Sequence, residues 1–171
     1  MKSITVLDQG KEYTFTFEDM LKYHGGAFIG GVSHAFKVME RAFPLLDNGN
    51  KLERREILLT TAFPGQGGKD AFELVTRCVT EGNICVDKDL KEAKGTPESP
   101  AGHYYFRFSY RGKDVVIRIK PGVVKEEFIQ LSRQKERSKE EWERLEVLKN
   151  EMSEFLLSNS AEDLYDAECN N

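Results

Sequence analysis

The stretch "HYYFRFSYRGKDVVIRIKP", residues 103–121, constrains the fold more than any other part of the chain. Two alternating segments flank Arg111-Gly112, the pattern of a tight antiparallel hairpin. Alternation puts Tyr104, Phe106, Phe108 and Tyr110 on one face of the first strand, and Val115, Ile117 and Ile119 on one face of the second. So large an apolar face must be covered by helices or by another sheet.

The rest of the chain supplies helices interspersed with short strands. "SITVLDQGKEYTFTF" alternates around Gln9-Gly10 as a second hairpin would. Thr16 is a candidate N-cap for a helix beginning "FEDMLKY", and Gly25 can supply its left-handed terminator. A second helix is expected from Phe28 to Phe43, with Phe28, Val32, Phe36, Met39 and Phe43 on one face and Pro44 closing it. "REILLTTAF" reads as a buried strand. "PGQGG" is a glycine loop leading into a helix faced by Phe72, Val75, Cys78 and Val79, and "NICVDK" is a short strand. The interval "KDLKEAKGTPESPAG" reads as an exposed loop.

From Lys125 to Leu157 the sequence predicts a helical arm with a charged middle and an apolar seam of Trp142, Leu145, Leu148, Met152 and Phe155. The seam must cover either the core or a second copy of the chain. "SNSAEDLYDAECNN" reads as an acidic, frayed tail. The expected fold is therefore α+β, a twisted and mostly antiparallel sheet with helices packed on it. Residues 1–124 form its core domain, and 125–171 a C-terminal arm and tail.

The formal charge of -4 gives no global reason to expect nucleic acid. No apolar run at the N-terminus has the length of a signal peptide or spanning helix, so the expected location is cytoplasmic, away from membranes. Cys78, Cys85 and Cys169 are odd in number and lack CxxC spacing, which argues against a disulfide framework or zinc knuckle.

Three features could carry chemistry. The glycine loop fails as a nucleotide-binding P-loop, because Phe63 stands at its first glycine and Asp70 at its Ser/Thr, so no nucleotide cofactor is expected. Gly67, Gly68, Lys69 and Asp70 remain a candidate pocket for an anion, or else a structural turn. His24 and His34 lie ten residues apart and cannot chelate from one helical turn. A break at Gly25-Gly26 could still let them converge. His103, at a strand entrance, is expected in solvent.

Taken in order, these segments resemble the E-subunit family of formylmethanofuran dehydrogenase, small proteins associated with molybdenum and tungsten enzymes. "YHGGAFIGGVSHAFKVM" stands where the family carries His-Gly-His-x-Cys-Pro-Gly, and "TTAFPGQGGKDAFELVTRCVTEGNI" where it has a strand, a cysteine-bearing loop and a helix ending at a Gly-Asn turn. His24 and Cys78 match family positions. Gly26, Phe28, Ile29 and Gly67 replace the second histidine, the signature cysteine, the proline and the loop cysteine. His34 is an added donor, and the family's C-terminal zinc ribbon has no counterpart. The resemblance implies a homodimer and an accessory or ligand-binding role beside a larger oxidoreductase. Its cleft would hold zinc, nickel or a small anion, with His24, His34 and Cys78 as metal ligands. Two alternatives stand beside it: an enzyme using His24 or His34 as general base, and an interaction module docking through its arm.

Overall fold

The computed structural model describes residues 2–170 and has the α+β architecture. Strands β1 (Ser3–Asp8) and β2 (Lys11–Thr16) form a hairpin of their own, closed by Gln9 and Gly10, both at positive φ. Thr16 then caps helix α1 (Phe17–His24): its hydroxyl accepts from the Asp19 N–H, and the Asp19 carboxylate accepts from the Thr16 N–H. Gly25, at φ 89°, ends the helix in the left-handed conformation.

Helix α2 (Ile29–Leu46) is the centre of the molecule and is buried on more than one side; Val32 through Met39 are all inaccessible. Pro44 lies inside its last turn and does not end it. The ring removes the one N–H that would bond the carbonyl four residues earlier, and past it the Pro44 carbonyl accepts from the Gly49 N–H at 2.8 Å. The strand expected from Arg55 begins late. A short 3-10 turn occupies Arg54–Glu56, and β3 spans Leu58–Thr61. The cause is the buried Arg54 side chain, whose Nε donates to the Val75 carbonyl at 2.8 Å and so caps the end of helix α3 (Gln66–Thr76).

The main sheet holds five strands. After β4 (Ile84–Val86), a small ribbon of β5 (Glu98–Ser99) and β6 (Gly102–His103) precedes the long hairpin of β7 (Tyr105–Tyr110) and β8 (Lys113–Ile119). The sheet order is β4-β3-β7-β8-β9, with β9 at Tyr165–Asn170; only the β3–β4 pair is parallel. The predicted aromatic face is fully buried, and α2 packs on it, with the Phe43 and Phe108 rings edge to face at 5.7 Å. The interval expected as an exposed loop instead buries Ala93, Thr96 and Ser99, and the His103 Nδ1 bonds the Thr96 carbonyl at 2.9 Å.

The C-terminal region departs most from expectation. The arm is two helices, α4 (Glu126–Arg133) and α5 (Lys139–Ser158), separated at Gln134–Ser138 and restarted by a Ser138/Glu141 capping box. It covers the core of its own chain: Leu145, Leu148 and Leu156 are buried, and the Ser153 and Ser33 hydroxyls bond at 2.7 Å between α5 and α2. The seam is thereby divided, since Trp142 and Phe155 remain about half exposed. The tail is not frayed. After α6 (Ala161–Leu164), β9 pairs antiparallel with β8 along its length and buries Tyr165 completely. Among the described residues no helix is long and apolar enough to cross a membrane.

Candidate functional site

The glycines at the crossing of α2 and α3 set the geometry of the site. A Cβ at Gly67 would lie 2.6 Å from the Phe28 carbonyl oxygen, and one at Gly31 would lie 3.1 Å from the Gly68 nitrogen. These helices therefore touch backbone to backbone, which only glycine permits. Gly67 and Gly68 belong to the first turn of α3, with Gly65 as N-cap, so the expected loop is in fact helix. Gly67 has no room here even for a methyl group.

Beside this crossing lies a cavity of about 340 Å³. The starts of α2 and α3 form one side, the β5–β6 ribbon and Tyr104 a second, and α4, α5 and their connection a third. Its volume falls at the lower end of the range for small-molecule sites. Phe28, Phe63, Tyr104, Phe128 and Trp142 make it strongly aromatic, and the Phe63 and Tyr104 rings stack at 5.2 Å and 25°.

His34 is on the cavity wall and is 1% exposed. Its Nδ1 is 2.6 Å from the Tyr165 hydroxyl, and its ring lies 4.6 Å from that of Tyr104. The Tyr165 hydroxyl has no other hydrogen-bond partner among the described residues, and donation to Nδ1 is the arrangement that uses its single proton. Nε2 then carries the imidazole proton and has no partner. Ser99, also on the wall and also buried, has an unpartnered Oγ. An unpaired buried polar atom costs about 1–3 kcal/mol. Having two on one cavity marks that wall as more than packing.

Burial pushes the His34 imidazole down to about 3, so it is neutral near pH 7. A pH effect on stability follows. The folded-state pKa lies below the ordinary value of 6.5, so the unfolded chain takes up the proton first as pH falls. Stability is expected to drop below pH 6.5 by up to about 1.4 kcal/mol per pH unit. Carboxylates lowered by partners, such as Glu56 beside Arg111, act only nearer their ordinary value of 4.5. Urea unfolding at pH 7 and pH 5 should show this loss in the native chain, and a shallower one in His34→Gln. Parallel slopes would remove His34 as the cause.

His24 does not join His34 at the cavity. Its Nδ1 donates to Asp70 Oδ2 at 2.7 Å, and its Nε2 accepts from the Phe28 N–H at 3.1 Å. With both ring nitrogens engaged, His24 ties the left-handed turn at Gly25-Gly26 to α3, and Asp70 is further held by Gln66. Cys78 is fully buried in the core, where desolvation pushes its thiol up. Among the described residues no group of three or more His, Cys, Asp or Glu side chains could hold a metal ion, and His24, His34 and Cys78, the set expected as metal ligands, are not gathered into one group. The α3 N-terminus does face the cavity through Gly65, Gln66 and Gly67, whereas Lys69 and Asp70 are not on its wall.

Several site residues carry no signal in the sequence. Ser99 sits in an interval without periodicity, Tyr165 in an apparent tail, and Arg137 in the charged middle of the arm. The sequence matches no protein-family model and no curated protein.

Proposed function

We propose that this chain is a binding protein for a small organic molecule, held in the aromatic cavity between α2, α3 and α5. The observation that carries this reading is the pair of buried, unpartnered polar atoms, His34 Nε2 and Ser99 Oγ, on residues of one cavity wall. Apolar walls supply affinity, and a few fixed polar groups supply orientation. The resemblance to the dehydrogenase E-subunit family supports an accessory role, since that family carries its signature in the α1–α2 segment that borders this cavity. It does not carry over the metal: thiolate positions are lost, and the remaining donors are engaged or apart.

Trp142 is the only tryptophan of the chain and lines the cavity. Its indole N–H gives one cross-peak in a proton–nitrogen spectrum and reports occupancy directly. One- and two-ring aromatic fragments are expected to shift that peak saturably, and Ala101→Phe, which fills the cavity from its wall without adding an indole, to abolish the shift. Zinc and nickel are expected to leave thermal stability unchanged. If no fragment moves the indole peak, the cavity reading is lost; stabilisation by stoichiometric metal would restore the metal reading.

A further inference from the structure

We infer that the cavity selects a planar aromatic monoanion, a carboxylate foremost, with its anionic group between Arg137 and the start of α3; this rests on the binding reading above. The charge of the lining points there first. The chain has 29 acidic and 25 basic residues, yet the cavity wall includes Arg137 and Lys149 and no carboxylate. Lys149 is already paired with Glu146 at 2.6 Å. Arg137 has no carboxylate partner among the described residues. Its Nε and Nη2 donate to the Leu131 and Ser132 carbonyls, each at 2.6 Å, which fixes the guanidinium at the end of α4. It lies over the Trp142 ring, 4.6 Å from its centroid. A fixed, uncompensated guanidinium on an apolar wall favours a bound anion.

The polar groups agree in sign. Gly65 caps α3 without a side chain, and Gln66 and Gly67, in the first turn of this eleven-residue helix, line the cavity. Such N–H groups and the helix dipole favour negative charge. The buried His34 Nε2–H is a further donor without a partner, and the Ser99 hydroxyl can donate as well. The wall thus offers an excess of donors and positive ends. The stacked Phe63 and Tyr104 rings and the Trp142 ring suit a flat apolar body.

The test pairs 2-naphthoate with its neutral isostere 2-naphthamide, using calorimetry and the Trp142 indole peak on the full chain. Naphthoate is expected to bind at least about tenfold more tightly, the ordinary value of a charge-assisted hydrogen bond. Arg137→Gln should remove that preference by weakening naphthoate binding more than naphthamide binding, and Arg137→Lys should restore part of it. Equal affinities in the native chain overturn the anion assignment and leave the cavity reading standing. Acetate displacing naphthoate at similar concentration overturns the aromatic part. The acid–amide comparison needs no variant, so a poorly folded Arg137→Gln protein does not shield the inference.

Discussion

Tyr165→Ala is expected to destabilise the protein by about 4 kcal/mol, the cost of deleting a large buried aromatic side chain and orphaning a buried imidazole nitrogen. The ring is wholly inaccessible, and its hydroxyl is the only partner of His34 Nδ1 among the described residues. Tyr165→Phe keeps the packing and removes only the hydroxyl, so its loss should be nearer 1–3 kcal/mol. The comparison separates two roles of the residue, filling the core and fixing the His34 tautomer. Urea unfolding of both variants checks the stabilities, and the His34 ring nitrogen shifts check the tautomer. A loss below about 1 kcal/mol for Tyr165→Ala would mean that β9 is not held against β8, and the C-terminal segment would then be the tail its composition suggests.

Gly67→Ala should cost about 2 kcal/mol, although alanine is the better helix former by about 1 kcal/mol. The added methyl would sit 2.6 Å from the Phe28 oxygen and 3.2 Å from the Val32 nitrogen, both backbone atoms that cannot turn aside. Gly30→Ala is the internal control. There the obstacle is the end of the flexible Met152 side chain, which can move, so the change should remain within about 1 kcal/mol of the native chain. Thermal unfolding of the two variants side by side distinguishes them. Equal effects would show that the α2–α3 crossing tolerates separation, and with it that the cavity is not rigidly formed.

Much of the fold is legible without coordinates because its signals are local. Two hairpins announce themselves by alternation and by their turn residues, and the structure places Gln9, Gly10, Arg111 and Gly112 at positive φ. Thr16 and Gly25 mark the ends of α1 because capping is decided by side chains within four residues of the helix end. The aromatic alternation of residues 104–110 correctly names the face that α2 covers.

The site is legible only in fragments. His34 is visible as a histidine on a helix, and the glycine-rich start of α3 as a helix start. The partners that define them come from far along the chain. Tyr165 reaches His34 across 131 residues, and the Ser153 hydroxyl reaches Ser33 across 120. Neither pairing leaves any periodic trace, because a hydrogen bond between distant segments needs only one residue from each. The expectation for His24 fails for a related reason. Its spacing from His34 leaves convergence open, but Asp70, which decides where the imidazole points, lies on another helix.

By itself the sequence determined the two hairpins, the three N-terminal helices, the mostly antiparallel character of the sheet and its apolar face, since these follow from backbone sterics and from the periods of helix and strand. Tertiary structure alone decided what each glycine and histidine is for. Gly67 is a backbone contact because a second helix passes within reach of a single methyl group. His34 is a neutral donor because a C-terminal strand brings a tyrosine to one nitrogen and the folded core removes water from both.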